Sequence, residues 1–266
     1  MEQSETLKLR CEQLPFEVLG SGEKPPQLGL VILETDLTIE TEMRHFLSGA
    51  PGSEIGSGVA MLHTRIACED QVTAENMTAM ETRFAAALEL FPRGYVFDVI
   101  GYGCTAASLL IGEDRVQQII QSHVDVTHVT TPLTAVKRGL GVLGATKIGY
   151  LAPYISEISS QMCEELSAAG FPVSVAATFG EDQDSLVCNI APASILEALA
   201  VLVERSPEID AVFVSCTSLK CAPIITMAEK WFGIPILSSN SAMAWDMARL
   251  AGVPVAATSK GILFNK

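Results

Sequence analysis

Short apolar runs alternate with helical patterns along most of this 266-residue chain. Runs such as LGLVILE at 28–34 and AVFVS at 211–215 have the length and composition of buried β-strands. The segments between such runs repeat apolar residues at the spacing of one helical face. Because this alternation places successive strands side by side in one direction, it predicts parallel sheets with right-handed helical crossovers. The chain is therefore expected to be an α/β protein.

Eight apolar runs are predicted to be strands, four in each half of the chain. They lie at 28–34, 59–66, 95–101, 124–131, 147–152, 173–178, 211–215 and 234–237. The longer helices are predicted over 76–91, 133–143, 156–169, 192–204, 220–232 and 241–251. The repeated pattern predicts two pseudo-symmetric lobes, each a roughly four-stranded parallel sheet flanked by helices, with the active site in the cleft between them.

The expected division of the chain has three parts. Residues 1–26 form a polar N-terminal extension. Residues 27–132 together with 238–266 form the first lobe, because the last helix is expected to return to it. Residues 133–237 form the second lobe.

The acidic composition narrows the classes of partner. The formal net charge is −14, with 48% hydrophobic and 18% charged residues, which is typical of a folded enzyme. Such a surface repels nucleic acid and anionic membranes. No apolar stretch is long enough to span a bilayer, and the first residues lack the pattern of a secretory signal. We therefore expect a cytoplasmic protein with a small-molecule substrate and with neither a nucleic-acid nor a membrane partner.

Cysteine usage agrees with that compartment. Seven cysteines lie at irregular spacings, which is typical of free thiols in a reducing cytoplasm. No CxxC pair and no paired histidines at ligand spacing occur, so we expect no metal site.

Two Cys-Thr pairs follow predicted strands in matching positions. Cys104-Thr105 follows the run YVFDVIGYG, and Cys216-Thr217 follows AVFVS. The carboxyl ends of parallel strands are where open α/β sheets place their chemistry. Backbone N–H groups at the start of a following helix lower the pKa of a thiol and hold an anion. The pairs predict two thiols that face each other across a cleft, with Thr105, Thr217 and Ser218 orienting a substrate carboxylate.

Other polar motifs have less direct interpretations. Asp36 lies in the turn after the first strand, where it points to the same edge as the cysteines and also suits a helix N-cap, so both roles stay open. Glu42 is expected on the solvated surface. The segment GLGVLG at 139–144 matches a dinucleotide fingerprint, but it follows a helix and precedes a strand. It is predicted to be a helix C-terminus with a tight turn.

These segments resemble the aspartate/glutamate racemase superfamily, in particular the branch that holds maleate cis-trans isomerase, arylmalonate decarboxylase and the isomerase/racemase of ectoine utilisation. The resemblance covers about residues 27–255 and is carried by LETDLTIE (33–40), GYGCTAAS (101–108), LAPY (151–154) and VSCTSLK (214–220). It implies two four-stranded lobes, a site without a cofactor, and a homo-oligomer, either a dimer or a tetramer.

The resemblance also implies roles for individual residues. In racemases of this type one thiolate removes an α-proton and the opposite thiol returns one, whereas in maleate isomerases the first cysteine adds to the double bond. Cys104 would be the first-lobe base or nucleophile and Cys216 that of the second lobe. Tyr154 would hydrogen-bond a substrate carboxylate.

Two aspartates depart from the family pattern. Asp36 and Asp184 stand where the resemblance to maleate isomerases implies asparagines. An ionised aspartate accepts hydrogen bonds and repels a carboxylate. These residues therefore favour a substrate with an amino or amide group where maleate has its second carboxylate.

Three functions follow from these observations. The main expectation is a cofactor-independent racemase or isomerase of a small amino acid or carboxylate, in ectoine catabolism. The alternative is a maleate cis-trans isomerase that acts through a cysteine adduct. The third is a non-catalytic small-molecule-binding protein. Since arylmalonate decarboxylase has only the second-lobe cysteine, Cys104 argues against a pure decarboxylase.

Overall fold

The computed structural model describes residues 13–18, 20, 24–48, 59–254 and 260–266. Within them the chain folds into two four-stranded parallel sheets flanked by helices, which confirms the predicted fold class. Most of the expected N-terminal extension at 1–26 lies outside the described residues, as does Cys11; the described part at 13–18 is irregular and exposed.

The first sheet has the strand order β2-β1-β3-β4. Its strands are β1 (Gln27–Leu33), β2 (Ala60–Ile66), β3 (Phe97–Gly103) and β4 (Val126–Thr130). The helices in this part of the chain are α1 (Ile39–Leu47), α2 (Ala74–Ala79), α3 (Phe84–Leu88), α4 (Thr105–Ile111) and α5 (Glu113–His123). Strand β1 is buried along nearly all of its length, which explains its uninterrupted apolar sequence.

The second sheet repeats this arrangement with the order β6-β5-β7-β8. Its strands are β5 (Ile148–Ala152), β6 (Val173–Thr178), β7 (Ala211–Val214) and β8 (Ile236–Ser238). The helices are α6 (Pro132–Leu143), α7 (Ser156–Ala168), α8 (Asp184–Val187), α9 (Pro192–Arg205), α10 (Ile225–Phe232) and α11 (Ser239–Leu250), followed by a 3₁₀ turn at Ile262–Asn265. The matching orders give β3 and β7 equivalent positions in their sheets.

Helix α11 connects the two sheets. It begins directly after β8 of the second sheet and packs against β3, β4 and α1 of the first. Strand β3 admits this close packing because it carries glycines: a Cβ on Gly101 would lie 2.8 Å from the Met247 sulfur of α11. A Cβ on Gly103 would lie 2.5 Å from Ile39 of α1. The division into lobes at 27–132 with 238–266 and at 133–237 stays a prediction.

The prediction of a single helix over 76–91 is wrong. The segment is instead α2, a 3₁₀ turn at Met80–Arg83, and α3. The hydroxyls of Thr78 and Thr82 donate to backbone carbonyls one turn earlier, a contact that bends helices.

The helix predicted over 220–232 begins later, at Ile225. Pro223 has no backbone N–H and disfavours helical backbone at the residue before it, so the chain after Cys216 runs as a loop. The segment GLGVLG behaves as predicted, since Gly144 ends α6 in the left-handed conformation with φ 72°.

The described residues contain neither a candidate membrane span nor a candidate metal site. No helix in the described part of the chain is long and apolar enough to cross a membrane. Among the same residues, no group of three or more His, Cys, Asp or Glu side chains is arranged to hold a metal ion.

Candidate active site

The predicted site residues lie in the segments that follow the carboxyl ends of strands. These segments come after β1, β3, β5, β6 and β7. All eight side chains are buried: Asp36, Cys104, Thr105, Tyr154, Asp184, Cys216, Thr217 and Ser218.

Cys104 is the N-cap residue of α4. Its sulfur accepts the backbone N–H of Ala107 at 3.4 Å and lies 4.0 Å from the sulfur of Met77. Burial raises the pKa of the Cys104 thiol well above its usual range, and the Ala107 N–H only partly opposes this. The predicted helix N–H contact is present, but burial outweighs it.

Cys216 has an unusual backbone conformation. Its φ is +98°, the only positive value at a non-glycine position among the described residues. Its N–H donates to Ser239 Oγ at 3.0 Å, and its sulfur accepts the Ser218 N–H at 3.4 Å. Burial raises the pKa of this thiol well above its usual range, and the nearby Tyr154 hydroxyl opposes the rise.

Ser239, the first residue of α11, joins the two Cys-Thr segments. Its hydroxyl accepts the Cys216 N–H and lies 2.8 Å from the Thr105 hydroxyl. A second contact runs directly between the segments, where the Thr217 hydroxyl donates to the Gly103 carbonyl at 3.3 Å. The two cysteines therefore belong to one cluster, although they follow strands of different sheets.

Two carboxyl groups complete the cluster. Asp36 Oδ1 accepts the N–H groups of Thr38, which is the N-cap residue of α1, and of Ile39, the first residue of that helix, at 2.8 and 2.9 Å. Asp184 accepts the hydroxyls of Thr35 at 2.5 Å and Ser218 at 2.8 Å.

The carboxyls and the thiols interact electrostatically. Burial is the main cause that raises the pKa of Asp36 and of Asp184 above their usual values. The negative charge of each aspartate in turn raises the pKa of both Cys104 and Cys216. The charge on either aspartate therefore disfavours the thiolate form of both cysteines.

The predicted carboxylate-binding hydroxyls already have partners. Thr105 contacts Ser239, Thr217 donates to Gly103, and Ser218 donates to Asp184. Their role, and that of Tyr154, in binding a substrate carboxylate stays a prediction.

Sequence reasoning missed three residues that hold this cluster. Ser239 and Asn240 follow β8, so the rule that polar residues after a strand end mark a site could have found them. Glu42 carried no such signal, and its expected place on the surface is wrong, since only 4% of it is exposed. Its carboxylate accepts the Ala222 N–H at 2.7 Å and the Asn240 side chain at 2.9 Å. Asn240 also donates to the Thr217 carbonyl at 2.8 Å, so Glu42 supports the loop after Cys216.

Comparisons with known proteins identify relatives over most of the chain. A family model described as arylmalonate decarboxylase matches residues 65–264. The maleate isomerase of Nocardia farcinica (strain IFM 10152) is 29% identical over 251 residues, which cover 90% of this chain and 96% of that protein.

Solved structures share the fold. The maleate isomerase Iso from Pseudomonas putida S16 has a TM-score of 0.81 at 21% identity, over 91% of this chain and 98% of that one. A cysteine-to-serine mutant of the Nocardia farcinica maleate cis-trans isomerase, with a covalently bound succinylcysteine intermediate, has a TM-score of 0.78 at 24% identity. That match covers 91% of this chain and 98% of the mutant.

Proposed function

The chain belongs to the arylmalonate decarboxylase family, and on that basis we propose that it is a cofactor-independent cis-trans isomerase that acts through Cys104 and Cys216. The protein is an enzyme, and its relative over nearly the full length is a maleate isomerase. One observation carries the proposal: the Cys-Thr segments of two different sheets meet at Ser239, in a buried cluster that contains both thiols.

The proposed reaction begins at Cys104. As a thiolate it adds to one carbon of the substrate's cis double bond, forming a C–S bond and moving the π-electron pair to the neighbouring carbon. That carbon takes the proton of the Cys216 thiol, which becomes a thiolate. The former double bond is now a single bond and rotates.

The second half reverses these steps. The Cys216 thiolate removes the proton again, the double bond re-forms in the trans geometry, and the C–S bond breaks to release the Cys104 thiolate. Atoms, electrons and the single negative charge shared by the two sulfurs balance over the cycle. No cofactor enters it. The succinylcysteine seen in the Nocardia farcinica mutant is an adduct of the kind that this sequence of steps requires.

The surroundings of the sulfurs match these two roles. Each sulfur accepts a backbone N–H, from Ala107 or from Ser218, which stabilises a thiolate. Burial works against the thiolate form, because water cannot solvate the charge. It also keeps water away from the carbanion, so that the proton comes from Cys216.

The racemase in ectoine catabolism stays a prediction, because the comparisons favour the cis-trans isomerase. The two reactions differ in a measurable way. A racemase exchanges the α-hydrogen of an amino acid with deuterated water, whereas the isomerase converts a cis alkene to a trans alkene. A non-catalytic binding protein does neither.

The test is the activity of single cysteine variants. Cis-trans conversion of maleate and of maleamate, its cis monoamide, is followed by NMR for Cys104→Ser, Cys216→Ser and the wild type. Each substitution should lower the rate by at least about 1,000-fold, since both thiols act in every turnover.

Cys163→Ser is the matched control, because Cys163 is a half-buried thiol on α7 that forms no hydrogen bond to either Cys-Thr segment among the described residues. It should keep the wild-type rate. Conversion by either site variant at more than a tenth of that rate would refute the two-thiol mechanism.

A further inference from the structure

Asp36 and Asp184 are the two buried carboxyl groups beside the thiols of the candidate site. We propose that this pair selects a carboxylate that carries an N–H donor, a primary amide or an ammonium group, at its opposite end. This inference rests on the proposed function, because it places the substrate beside Cys104 and Cys216.

The first observation is an unpaired oxygen on Asp36. The side chain is fully buried, and Oδ1 accepts the backbone N–H groups of Thr38 and Ile39 at the start of α1. Oδ2 is buried as well and has no hydrogen bond of good geometry among the described residues, although the Thr217 hydroxyl lies near enough to oppose the rise in the Asp36 pKa. An unpaired buried acceptor is costly, and a native site supplies it with a partner. An N–H group of a bound substrate is such a partner.

The second observation is the position of Asp184 in the same network. Its two hydrogen-bond donors come from both parts of the site. Thr35 directly precedes Asp36, and Ser218 lies two residues after Cys216. The negative charge of Asp184 raises the pKa of Asp36, so the two carboxyls are close enough to interact. A group that approaches the free oxygen of Asp36 therefore also meets the charge of Asp184.

The third observation is that no basic side chain compensates these carboxyls. Within the described part of the chain, neither Asp36 nor Asp184 forms an ion pair. Arg65 comes near, but its guanidinium donates to the backbone carbonyls of Leu33 and Asp36 and to the Glu40 carboxylate. The two buried acidic groups therefore have no ion-pair partner within the described part of the chain.

This charge pattern discriminates between substrates. A second substrate carboxylate would be repelled by whichever of the two buried carboxyls is ionised, and repulsion between charges is strong in a buried site. An amide N–H donates to Asp36 Oδ2 without adding charge, and an ammonium group also offsets the negative charge. Because the aspartates raise the pKa of both thiols, a bound cation would also favour the reactive thiolate.

The test measures binding of unreactive ligands of equal length. Succinate, succinamate and γ-aminobutyrate have a carboxylate at one end and a carboxylate, an amide or an ammonium group at the other. Calorimetry on the wild-type protein should show at least one nitrogen ligand bound tenfold or more tightly than succinate. The better of the two nitrogen ligands identifies the donor as amide or ammonium.

The Asp36→Asn variant tests the residue itself. The asparagine side chain keeps an acceptor oxygen, so the contacts with Thr38 and Ile39 are kept and the variant should fold. Its amide can donate to a carboxylate, so the preference for nitrogen ligands should fall at least tenfold. Asp184→Asn provides a second variant, and Asp114→Asn, on the exposed side of α5, is the control that should keep the wild-type preference.

Two results would overturn the inference. One is a lack of preference in the wild-type protein: succinate binds as tightly as both succinamate and γ-aminobutyrate, or neither of those two ligands binds. The other is an unchanged preference in both site variants. Neither outcome bears on the two-thiol mechanism, which is tested by turnover in the cysteine variants. Loss of that mechanism would conversely leave the binding preference intact.

Discussion

At the scale of single residues, Cys216 combines a reactive group with a strained backbone. Its φ of +98° is a region that glycine adopts easily and other residues adopt at a cost. The hydrogen bonds of its N–H to Ser239 and of its sulfur to the Ser218 N–H hold this conformation. Strain of this kind persists where the surrounding structure enforces it, and it concentrates at functional sites.

The strain can be measured by comparing two small residues at the same position. Cys216→Gly should have a free energy of unfolding about 1 kcal/mol higher than Cys216→Ala, because glycine adopts a positive φ without a Cβ penalty. Urea denaturation of the two variants gives this difference.

Cys104 provides the internal control for that comparison. Its φ is −146°, an ordinary extended value. Here the glycine variant should be less stable than the alanine variant by about 0.5–1 kcal/mol. The same order of stability at both positions would show that Cys216 is not strained.

At the scale of helices and strands, the sequence predicted those elements whose signal is local. Apolar runs located the eight strands. The rule that chemistry lies at the carboxyl ends of parallel strands selected Cys104, Cys216 and Asp36. The prediction of one long helix over 76–91 was wrong because the apolar stripe continues across the 3₁₀ turn at Met80–Arg83, where threonine hydroxyls donate to the backbone. The predicted surface position of Glu42 was wrong because its burial depends on α11 and on the loop before α10, which lie far away in sequence.

Glu42 joins three elements and should make stability depend on pH. Burial raises the pKa of its carboxyl from 4.5 to about 7, and the N–H donors Ala222 and Asn240 only partly oppose this. The folded state therefore binds this proton more tightly than the unfolded state does. The stabilisation is complete below about pH 4.5 and is lost as the pH rises through 7.

Substituting Glu42 tests this dependence. Between pH 5 and pH 8.5 the wild-type protein should lose up to about 3 kcal/mol of unfolding free energy through this group. Glu42→Gln cannot ionise, so its loss over the same range should be smaller. Urea denaturation at the two pH values measures both losses. Equal losses would contradict the raised pKa, and the exposed Glu89→Gln variant should behave like the wild type.

At the scale of the whole molecule, two sheets of equivalent order bring one cysteine each to a common cluster. Loops from both sheets also pair beside it, where Val72 N–H donates to the Asp182 carbonyl at 2.6 Å and Asp184 N–H to the Asp70 carbonyl at 2.9 Å. Cys104 and Cys216 are only 4% and 6% exposed, so the packing of the two sheets encloses both residues. This enclosure could not be predicted from the sequence, since it depends on how the two sheets pack together.

The central claim is that Cys104 forms the bond to the substrate and Cys216 moves the proton. It is tested most directly by mass spectrometry of Cys216→Ser after incubation with maleate or maleamate. In this variant the serine hydroxyl can still give its proton to the carbanion, slowly, but without the Cys216 thiolate the adduct proton is removed more slowly still, so the adduct should accumulate. We predict a mass increase of one substrate molecule on the peptide that contains Cys104, and none in Cys104→Ser. An adduct on Cys216 in the wild type, or turnover by Cys104→Ser, would contradict the account.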